Sequence, residues 1–282
     1  MAPSTDSADS TASSSSTVSP ASDAQPPSVL VVFDYDWSLV DDDSDLFIFR
    51  QLHPELLLEI RERYLHVQWT QLMDEVLLRL ARERPEVSAA EIRDTLARIP
   101  VQPRMLDAVR LAAQEHGARV HIVSDANTIY IQSLLERAGI APLVHEVHSN
   151  PAFFDETGEL KSRLRVERYH GAHLEPHGCP LCQVNMCKGR ILDETRAQQT
   201  FTHVLYVGDG KGDFCPATRL SSHDIVFARG GAEPDGKPFE LLDKIHAHRS
   251  DVRAAVVEWR TGDDLYRHFH RFFSQLPGKV EA

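Results

Sequence analysis

Two aspartates follow the most apolar segment of the chain. Val29 to Phe33 is a continuous run of large apolar residues, and Asp34 and Asp36 come directly after it. Such a run is typical of a strand that is buried on both faces of a sheet. One carboxylate at this strand end could be a nucleophile and its neighbour a general acid or base. A helix or turn cap is the alternative, but the apolar run before the pair favours catalysis.

Three later motifs offer groups that could bind phosphate and a metal ion. Ser124 ends a second apolar segment and precedes a helical pattern, so its hydroxyl and the helix amides could bind a phosphate. Lys188 opens another helical pattern and could neutralise phosphate charge. The glycine-rich segment 208–213 carries Asp209 and Asp213, whose carboxylates suit a hard divalent cation such as Mg²⁺. Taken singly, these residues could equally be helix caps or solvated surface groups.

The segments that would position these residues alternate between strand and helix patterns. Strands are predicted at 29–33, 119–124, 203–207 and 224–228, with a weaker pattern at 254–259, and helices at 105–116, 127–138, 188–199 and 265–273. This alternation predicts an α/β fold with a doubly wound, mainly parallel sheet. Ligands of such sheets bind at the carboxyl ends of the strands, which is where Asp34, Ser124 and Asp209 fall.

Residues 45–103 differ from the rest of the chain. They contain helical patterns, such as 69–82 and 89–97, but no strong strand pattern. We therefore predict a helical cap inserted after the first strand, which would favour small substrates over folded phosphoproteins. The predicted domains are a disordered Ser-rich tail (1–27), an α/β catalytic core (28–44 and 104–275), the helical cap (45–103) and a C-terminal tail (276–282).

The order of the motifs resembles that of haloacid dehalogenase superfamily phosphatases over about residues 28–270, with a Rossmann-like core. Within that superfamily, four strings are similar to the phosphoethanolamine/phosphocholine phosphatase family, which includes pyridoxal phosphate phosphatase relatives. They are FDYDWSLVDDDSD at 33–45, VSDAN at 123–127, CQVNMCKG at 182–189 and YVGDGKGDFCP at 206–216. Two positions depart from the family pattern: Ser38 stands where Thr is commoner, and Gly212 where Asn is usual.

The resemblance implies a Mg²⁺-dependent phosphatase that works through an aspartyl-phosphate intermediate. Asp34 would attack phosphorus, and Asp36 would protonate the leaving oxygen and then activate water. Mg²⁺ would be bound by Asp34, the Asp36 main-chain carbonyl and Asp209. Asp213 would bind the ion through water or orient its ligands.

The remaining residues of the implied site would contact the substrate. Ser124 and Lys188 would bind phosphoryl oxygens. Asp45 and Asp125 match acids that contact an ammonium group in the family, and extra carboxylates favour a cationic leaving group. For Asp45, a role as an acidic residue at the start of the first cap helix is an equal alternative. The leaving group stays open among phosphoethanolamine, phosphocholine, pyridoxal phosphate, thiamine monophosphate and pyrophosphate.

The resemblance implies a small phosphorylated metabolite as the partner, and composition argues against two other classes of partner. The net charge of −12 over 282 residues argues against binding to nucleic acid or an anionic membrane, since both need a basic face. No segment is long and apolar enough to predict a membrane span. Four cysteines without a signal-like N-terminus predict a reducing, cytoplasmic location. The oligomeric state is not encoded in any recognisable pattern.

A second group of potential metal ligands lies at His177, Cys179, Cys182 and Cys187. The Cys-x-x-Cys spacing with a further Cys and His is compatible with a structural zinc site. Reduced cysteines in an ordinary loop are the favoured alternative, and Cys215 is predicted to be packed in the core.

The function itself has alternatives as well: a pyrophosphatase, a catalytically inactive binding relative, a phosphoprotein phosphatase, or a phosphoryl transferase.

Overall fold

The computed structural model describes residues 28–155, 160, 162–171 and 177–276. The predicted disordered tail at 1–27 and residues 277–282 of the predicted C-terminal tail lie outside the described residues. Within the described part of the chain, no helix is both long enough and apolar enough to cross a bilayer.

Eight strands are present among the described residues, and six of them form one parallel sheet. They are β1 (Val29–Phe33), β2 (Arg119–Asn127), β3 (Val144–Asn150), β4 (Ala152–Asp155), β5 (Arg163–Val166), β6 (His203–Gly208), β7 (Ile225–Arg229) and β8 (Ala255–Trp259). The order across the large sheet is β3-β2-β1-β6-β7-β8, and all neighbours are parallel. Strands β4 and β5 form an antiparallel hairpin.

Ten α-helices connect and cover these strands in the described residues. They are α1 (Ser44–Leu52), α2 (Leu56–Arg63), α3 (Trp69–Glu83), α4 (Ala89–Leu96), α5 (Met105–Arg110), α6 (Thr128–Arg137), α7 (Lys188–Gln198), α8 (Phe214–Arg219), α9 (Glu240–Ala247) and α10 (Gly262–Gln275). Helix α5 continues as a wider π-type turn at Leu111–Glu115. The predicted doubly wound α/β fold is therefore confirmed, and the predicted helix at 265–273 is the core-packed part of α10.

The large sheet is covered on both faces, which explains why its central strands are apolar throughout. Helices α5, α6 and α10 pack on one face through residues such as Leu134 and Phe269. Helices α7, α8 and α9 pack on the other through residues such as Ile191 and Leu241. All five residues of β1 are buried, and burying one such side chain contributes about 1.5–3 kcal/mol.

A third apolar cluster joins helices α1–α4 to the hairpin. Phe49 and Val76 pack there with Leu164 of β5. The backbone N–H of Val166 donates to Asp74 Oδ1 at 3.0 Å, which fastens the hairpin to α3. The helical segment predicted at 45–103 is thus extended by a two-stranded element that the sequence patterns did not predict. The division of the chain into core and cap stays a prediction.

Candidate active site

The topology brings the ends of three strands together. Strand β1 lies between β2 and β6, so the side chains after these strands meet at one sheet edge. The chain proceeds from β1 to β2 and β3 on one side and returns to β6, β7 and β8 on the other. Ligands bind at such switch points in open α/β sheets. Asp34, Asp125 and Asp209 all line one cavity at this edge.

The loop after β1 is tightly folded and strained. Asp34 Oδ1 accepts from the Tyr35 backbone N–H at 2.7 Å. Trp37 has a φ of 54°, a left-handed conformation that is costly for a large side chain. Buried Arg229 of β7 stabilises it by donating to the Trp37 carbonyl and to Asp41 Oδ1, each at 2.6 Å. This loop therefore presents Asp34 and Asp36 in a fixed arrangement.

Asp36 is placed to hold a proton. Its Oδ1 accepts from the Ser44 backbone N–H at 3.0 Å. Burial raises the pKa of Asp36 well above its usual value, and the nearby Asp43 and Asp45 raise it further. A raised pKa favours the protonated form of the carboxyl group, which can donate a proton to a leaving oxygen.

Lys188 bridges two of the buried carboxylates. Its Nζ lies 2.7 Å from Asp34 Oδ2 and 2.9 Å from Asp213 Oδ1. Burial by itself would lower the pKa of Lys188, but Asp213 and Asp34 outweigh it and raise the pKa well above the usual value. The side chain is therefore a permanent ammonium beside the predicted nucleophile.

Asp213 is the organiser of the glycine-rich loop. Besides Lys188, Tyr206 donates its hydroxyl to Asp213 Oδ1 at 2.8 Å. The backbone N–H groups of Asp209 and Gly210 both donate to Asp213 Oδ2 at 3.1 Å. With both oxygens occupied, Asp213 is better suited to orienting the loop than to binding a metal ion directly.

Gly208 is required by this arrangement, and we expect Gly208→Ala to lower kcat for phosphate release by about 10²-fold. A Cβ at position 208 would lie 2.5 Å from Asp213 Cγ and 2.8 Å from its Cβ. Because Asp213 is buried and hydrogen-bonded at both oxygens, it could not yield without moving Lys188 or the loop. Steady-state kinetics at several Mg²⁺ concentrations would measure the loss.

Gly210→Ala is the matched control in the same loop. Gly210 has a φ of −106°, and no atom lies within 4 Å of the position its Cβ would take. This variant should keep nearly full activity. Equal losses in the two variants would show that the loop is sensitive to any side chain and not to the displacement of Asp213.

The acidic groups are suited to a divalent cation. Carboxylate oxygens of Asp34, Asp209 and Asp213 all lie within 4.8 Å of one another. Ser38 Oγ donates to Asp209 Oδ1 at 3.1 Å, which leaves the other oxygen free to bind an ion. Burial and then Asp213 raise the pKa of Asp209 to about 8. Lys188 alone cannot balance these three buried carboxylates, so a Mg²⁺ ion fits the charge and the oxygen donors.

The site opens into a cavity of about 700 Å³. This volume is in the range of pockets for small molecules. Seven aspartates of the described residues contribute to its wall, together with lysines and cap residues. The aspartates are Asp34, Asp36, Asp43, Asp45, Asp125, Asp209 and Asp213, the lysines are Lys188, Lys211 and Lys244, and the cap residues include Tyr64, Gln68 and Trp69.

The outer wall of the cavity carries the predicted specificity residues. Asp45 lies in the first turn of α1 and is buried, and Trp69 Nε1 donates to its Oδ2 at 2.6 Å. The N-cap of α1 is Asp43, whose side chain accepts from the Leu46 backbone N–H at 2.9 Å. Asp45 is thus free of the capping role, while its carboxylate and that of Asp125 face the same space.

One predicted residue lies outside the cavity wall. Ser124 is fully buried, and its Oγ accepts from the Ala126 backbone N–H at 3.2 Å. Its predicted contact with phosphate stays a prediction. The other predicted residues, Asp34, Asp36, Asp45, Asp125, Lys188, Asp209 and Asp213, all contribute to the one cavity.

Several residues of the site were not predicted to have a role. Asp43 and Ser38 lie within the string that resembles the phosphatase family, so their positions could have been considered. Tyr206 begins the family-like string at 206–216, whereas Arg229 lies at the end of β7 outside all of these strings. Both act through tertiary contacts, and no local pattern marks Arg229.

The parallel doubly wound sheet and the acidic site at its switch point agree with the phosphatase of the haloacid dehalogenase type that the sequence motifs predict. The family model described as Putative Phosphatase matches residues 29–273, and the chain belongs to this family.

Known relatives extend over nearly the whole chain. Inorganic pyrophosphatase 2 of Arabidopsis thaliana is 32% identical, covering 92% of this chain and 88% of the relative. A pyridoxal phosphate phosphatase of Mus musculus is 31% identical, covering 85% and 96%. The phosphoethanolamine/phosphocholine phosphatase of Gallus gallus is 30% identical, covering 89% and 91%.

The fold is shared with solved phosphatases. A phosphoserine phosphatase, solved as a phospho-aspartyl intermediate analogue, matches with a TM-score of 0.51 and 14% identity, covering 86% of this chain and 99% of that one. At this identity the likeness establishes the fold alone.

Proposed function

We propose that this phosphatase hydrolyses a small phosphomonoester in a Mg²⁺-dependent reaction with an aspartyl-phosphate intermediate. The observation that carries the proposal is the position of Asp34. Its carboxylate lies at the end of β1, is 2.7 Å from Lys188 Nζ, and faces a cavity of metabolite size. A carboxylate beside a buried ammonium and two further carboxylates is suited to attack a phosphoryl group whose charge is neutralised by cations.

The chain's own groups divide the reaction into two steps. In the first, an Asp34 oxygen bonds to phosphorus while the bond to the leaving oxygen breaks and Asp36 donates a proton to that oxygen. In the second, Asp36 takes a proton from water, whose oxygen displaces Asp34 from phosphorus. Lys188 pairs with phosphoryl oxygens throughout. A Mg²⁺ ion held by Asp34, Asp209 and the Asp36 carbonyl would supply additional charge neutralisation.

The charge of the cavity favours a leaving group that carries a cation. Asp36, Asp43, Asp45 and Asp125 all line the cavity. Burial raises the pKa of Asp43 to about 6, and Asp42 and Asp125 add smaller increases, so ionising this buried carboxyl costs free energy. A substrate ammonium group would relieve that cost. Phosphoethanolamine and phosphocholine carry such a group and are therefore proposed substrates. Pyridoxal phosphate, whose cation would be a ring pyridinium, is proposed with them because a relative is named pyridoxal phosphate phosphatase.

Pyrophosphate is the second candidate. Lys211 and Lys244 also line the cavity and could pair with a second phosphate. A relative named inorganic pyrophosphatase supports this candidate. The two candidate substrates differ in the charge of the leaving group. Substitutions of charged residues that line the cavity should therefore affect the hydrolysis of the two substrates in opposite ways.

We expect Asp45→Asn and Asp125→Asn to raise KM for phosphocholine by about 10-fold and to leave pyrophosphate hydrolysis nearly unchanged. Each change removes a carboxylate that would contact the ammonium group while keeping the side-chain shape. Burial raises the pKa of Asp45, and a bound substrate cation would favour its ionised form. Initial rates of phosphate release over a range of both substrates would measure the effect.

Lys244→Gln provides the opposite test on the same wall. It should weaken pyrophosphate hydrolysis and spare phosphocholine. Equal losses of both substrates in the aspartate variants would remove the ammonium pocket from the proposal.

A screen of phosphate release from phosphorylated metabolites, with Mg²⁺ and with a chelator, tests the proposed function as a whole. Hydrolysis of one or a few metabolites that depends on Mg²⁺ would support it. Absence of hydrolysis across the screen would favour the inactive binding relative. Equal activity on a folded phosphoprotein, or transfer of the phosphoryl group to a second hydroxyl of a sugar substrate instead of to water, would contradict the proposed function. A cytoplasmic location stays a prediction.

A further inference from the structure

All four cysteines of the sequence converge outside the acidic site. Cys215 Sγ lies 3.6 Å from Cys179 Sγ and 3.8 Å from Cys187 Sγ. The four sulfur atoms, including that of Cys182, lie within 4.8 Å of one another, and no disulfide joins them. In a tetrahedral Zn²⁺ site with Zn–S bonds of about 2.3 Å, neighbouring sulfur atoms are roughly 3.8 Å apart. The cluster therefore has the size of a four-cysteine zinc site.

In the loop that carries Cys179 and Cys182, large apolar side chains are exposed while the thiols point inward. Residues 177–187 form turns rather than a helix or strand. Leu181 is 41% exposed and Val184 is 70% exposed, whereas the thiols of Cys179 and Cys182 point into the cluster. A loop held by hydrophobic packing would bury the leucine and valine first. Cys179 and Cys182 are instead half-buried, and their sulfur atoms lie within 4.8 Å of those of the buried Cys187 and Cys215, which indicates that the loop is organised around its sulfur atoms.

The surroundings of the cluster resemble the outer shell of a metal site. The Arg190 backbone N–H donates to Cys187 Sγ at 3.4 Å. Gly189 permits the approach of Cys215, because a Cβ there would lie 2.6 Å from its sulfur. His177 is not a member of the cluster. Its Nδ1 accepts from the Cys179 backbone N–H at 3.0 Å, and its Nε2 lies 2.7 Å from the Gln183 carbonyl oxygen. It closes the turn that positions Cys179.

We propose that Cys179, Cys182, Cys187 and Cys215 bind one structural zinc ion. The set differs from the four residues suggested by sequence spacing, since Cys215 takes the place of His177. With four thiolates the ion has no open position, so its role is structural and not catalytic.

The ion would join three parts of the active site. Cys187 directly precedes Lys188, Cys215 follows Asp213 by two residues, and Cys182 lines the cavity. Zinc would fasten the irregular wall of the cavity to helices α7 and α8, which carry or flank these residues. Thiolate binding in a loop without regular structure contributes directly to its folding.

The test is the metal content and cobalt spectrum of the full chain, purified and reconstituted with Zn²⁺ under reducing conditions. We expect one zinc ion per chain that survives dialysis and is released by a thiol-blocking mercurial. Substitution with Co²⁺ should produce thiolate-to-cobalt charge-transfer bands and the visible bands of a tetrahedral site. The cobalt measurement uses the unaltered chain, so it does not depend on whether a variant folds.

Two variants distinguish the cysteine cluster from the acidic site. Cys182→Ser should lower zinc affinity by about 10²-fold or more and weaken the charge-transfer bands. Asp209→Asn should lose Mg²⁺-dependent activity but keep its zinc ion and the bands. This pair also separates a failure of the zinc proposal from a failure of the proposed phosphatase mechanism.

Three outcomes would overturn the proposal. One is a reconstituted chain without bound zinc and without thiolate-to-cobalt bands. Another is zinc that Asp209→Asn removes and Cys182→Ser retains, since the ion would then occupy the acidic site. The third is a cluster that is used in another way, either by iron in place of zinc or by a disulfide between two of the cysteines in the purified chain.

Discussion

Asp34→Asn should lower kcat for phosphate release by about 10³-fold or more, because an amide cannot form the acyl phosphate. Asparagine has nearly the same shape, and its amide oxygen can still accept from the Tyr35 backbone N–H. The variant should therefore remain folded and should still bind substrate. Rates of phosphate release in saturating Mg²⁺ would measure the loss.

A direct test of the intermediate uses substrate labelled in the phosphoryl group. After an acid quench, label should be recovered on the wild-type chain and be absent from Asp34→Asn. Asp107→Asn is the matched control, because Asp107 lies on α5 in an exposed ion pair with Arg110. A variant at Asp34 that retains most of its activity would end the proposed role of this residue as nucleophile.

The sheet and its polar strand ends could be predicted because their signals are local. Residues 29–33 are apolar at every position, which only a strand covered on both faces requires. The structure places this strand in the centre of the sheet, with β2 and β6 beside it. Because neighbouring parallel strands end at the same edge, Asp34 and Asp209 had to meet once the strand order was known.

The parts that could not be predicted depend on contacts between distant segments. The hairpin strands β4 and β5 have four residues each, too few for a clear alternating pattern, and β5 is fastened by Asp74 of α3. Arg229 stabilises the left-handed Trp37 from a position 192 residues away. A sequence read in short windows contains no trace of either contact.

The cysteine cluster shows the same limit in a different way. Spacing identified Cys179, Cys182 and Cys187, which are close in sequence, and completed the set with the nearby His177. The structure supplies Cys215 from 28 residues beyond Cys187 and uses His177 to close a turn. The local spacing of the cysteines therefore identified three of the four members of the cluster. The fourth, Cys215, could be identified only from the three-dimensional structure.

After Asp34→Asn, the substitution with the largest expected effect is Lys188→Met, which should lower both the stability of the fold and the rate of phosphate release. It leaves Asp34 and Asp213 buried without their shared ammonium, so the free energy of unfolding in chelator should fall by about 3 kcal/mol. Loss of the cation that pairs with phosphoryl oxygens should also lower kcat by about 10²–10³-fold. Denaturant unfolding in chelator and steady-state kinetics in Mg²⁺ would measure the two changes.

Measurements of Mg²⁺ binding can distinguish the loss of the Lys188 charge from general disruption of the active site. Removing a positive charge makes the site more negative, so Mg²⁺ should bind Lys188→Met more tightly and raise its Tm more than that of the wild type. Activity should remain low even when Mg²⁺ saturates the variant. Lys237→Met, which removes an exposed lysine paired with Glu233, should leave stability and activity nearly unchanged. Weaker Mg²⁺ binding by Lys188→Met would contradict this explanation. A lysine that acts only through its charge competes with the cation for Asp34 and Asp213, so its removal should not weaken Mg²⁺ binding.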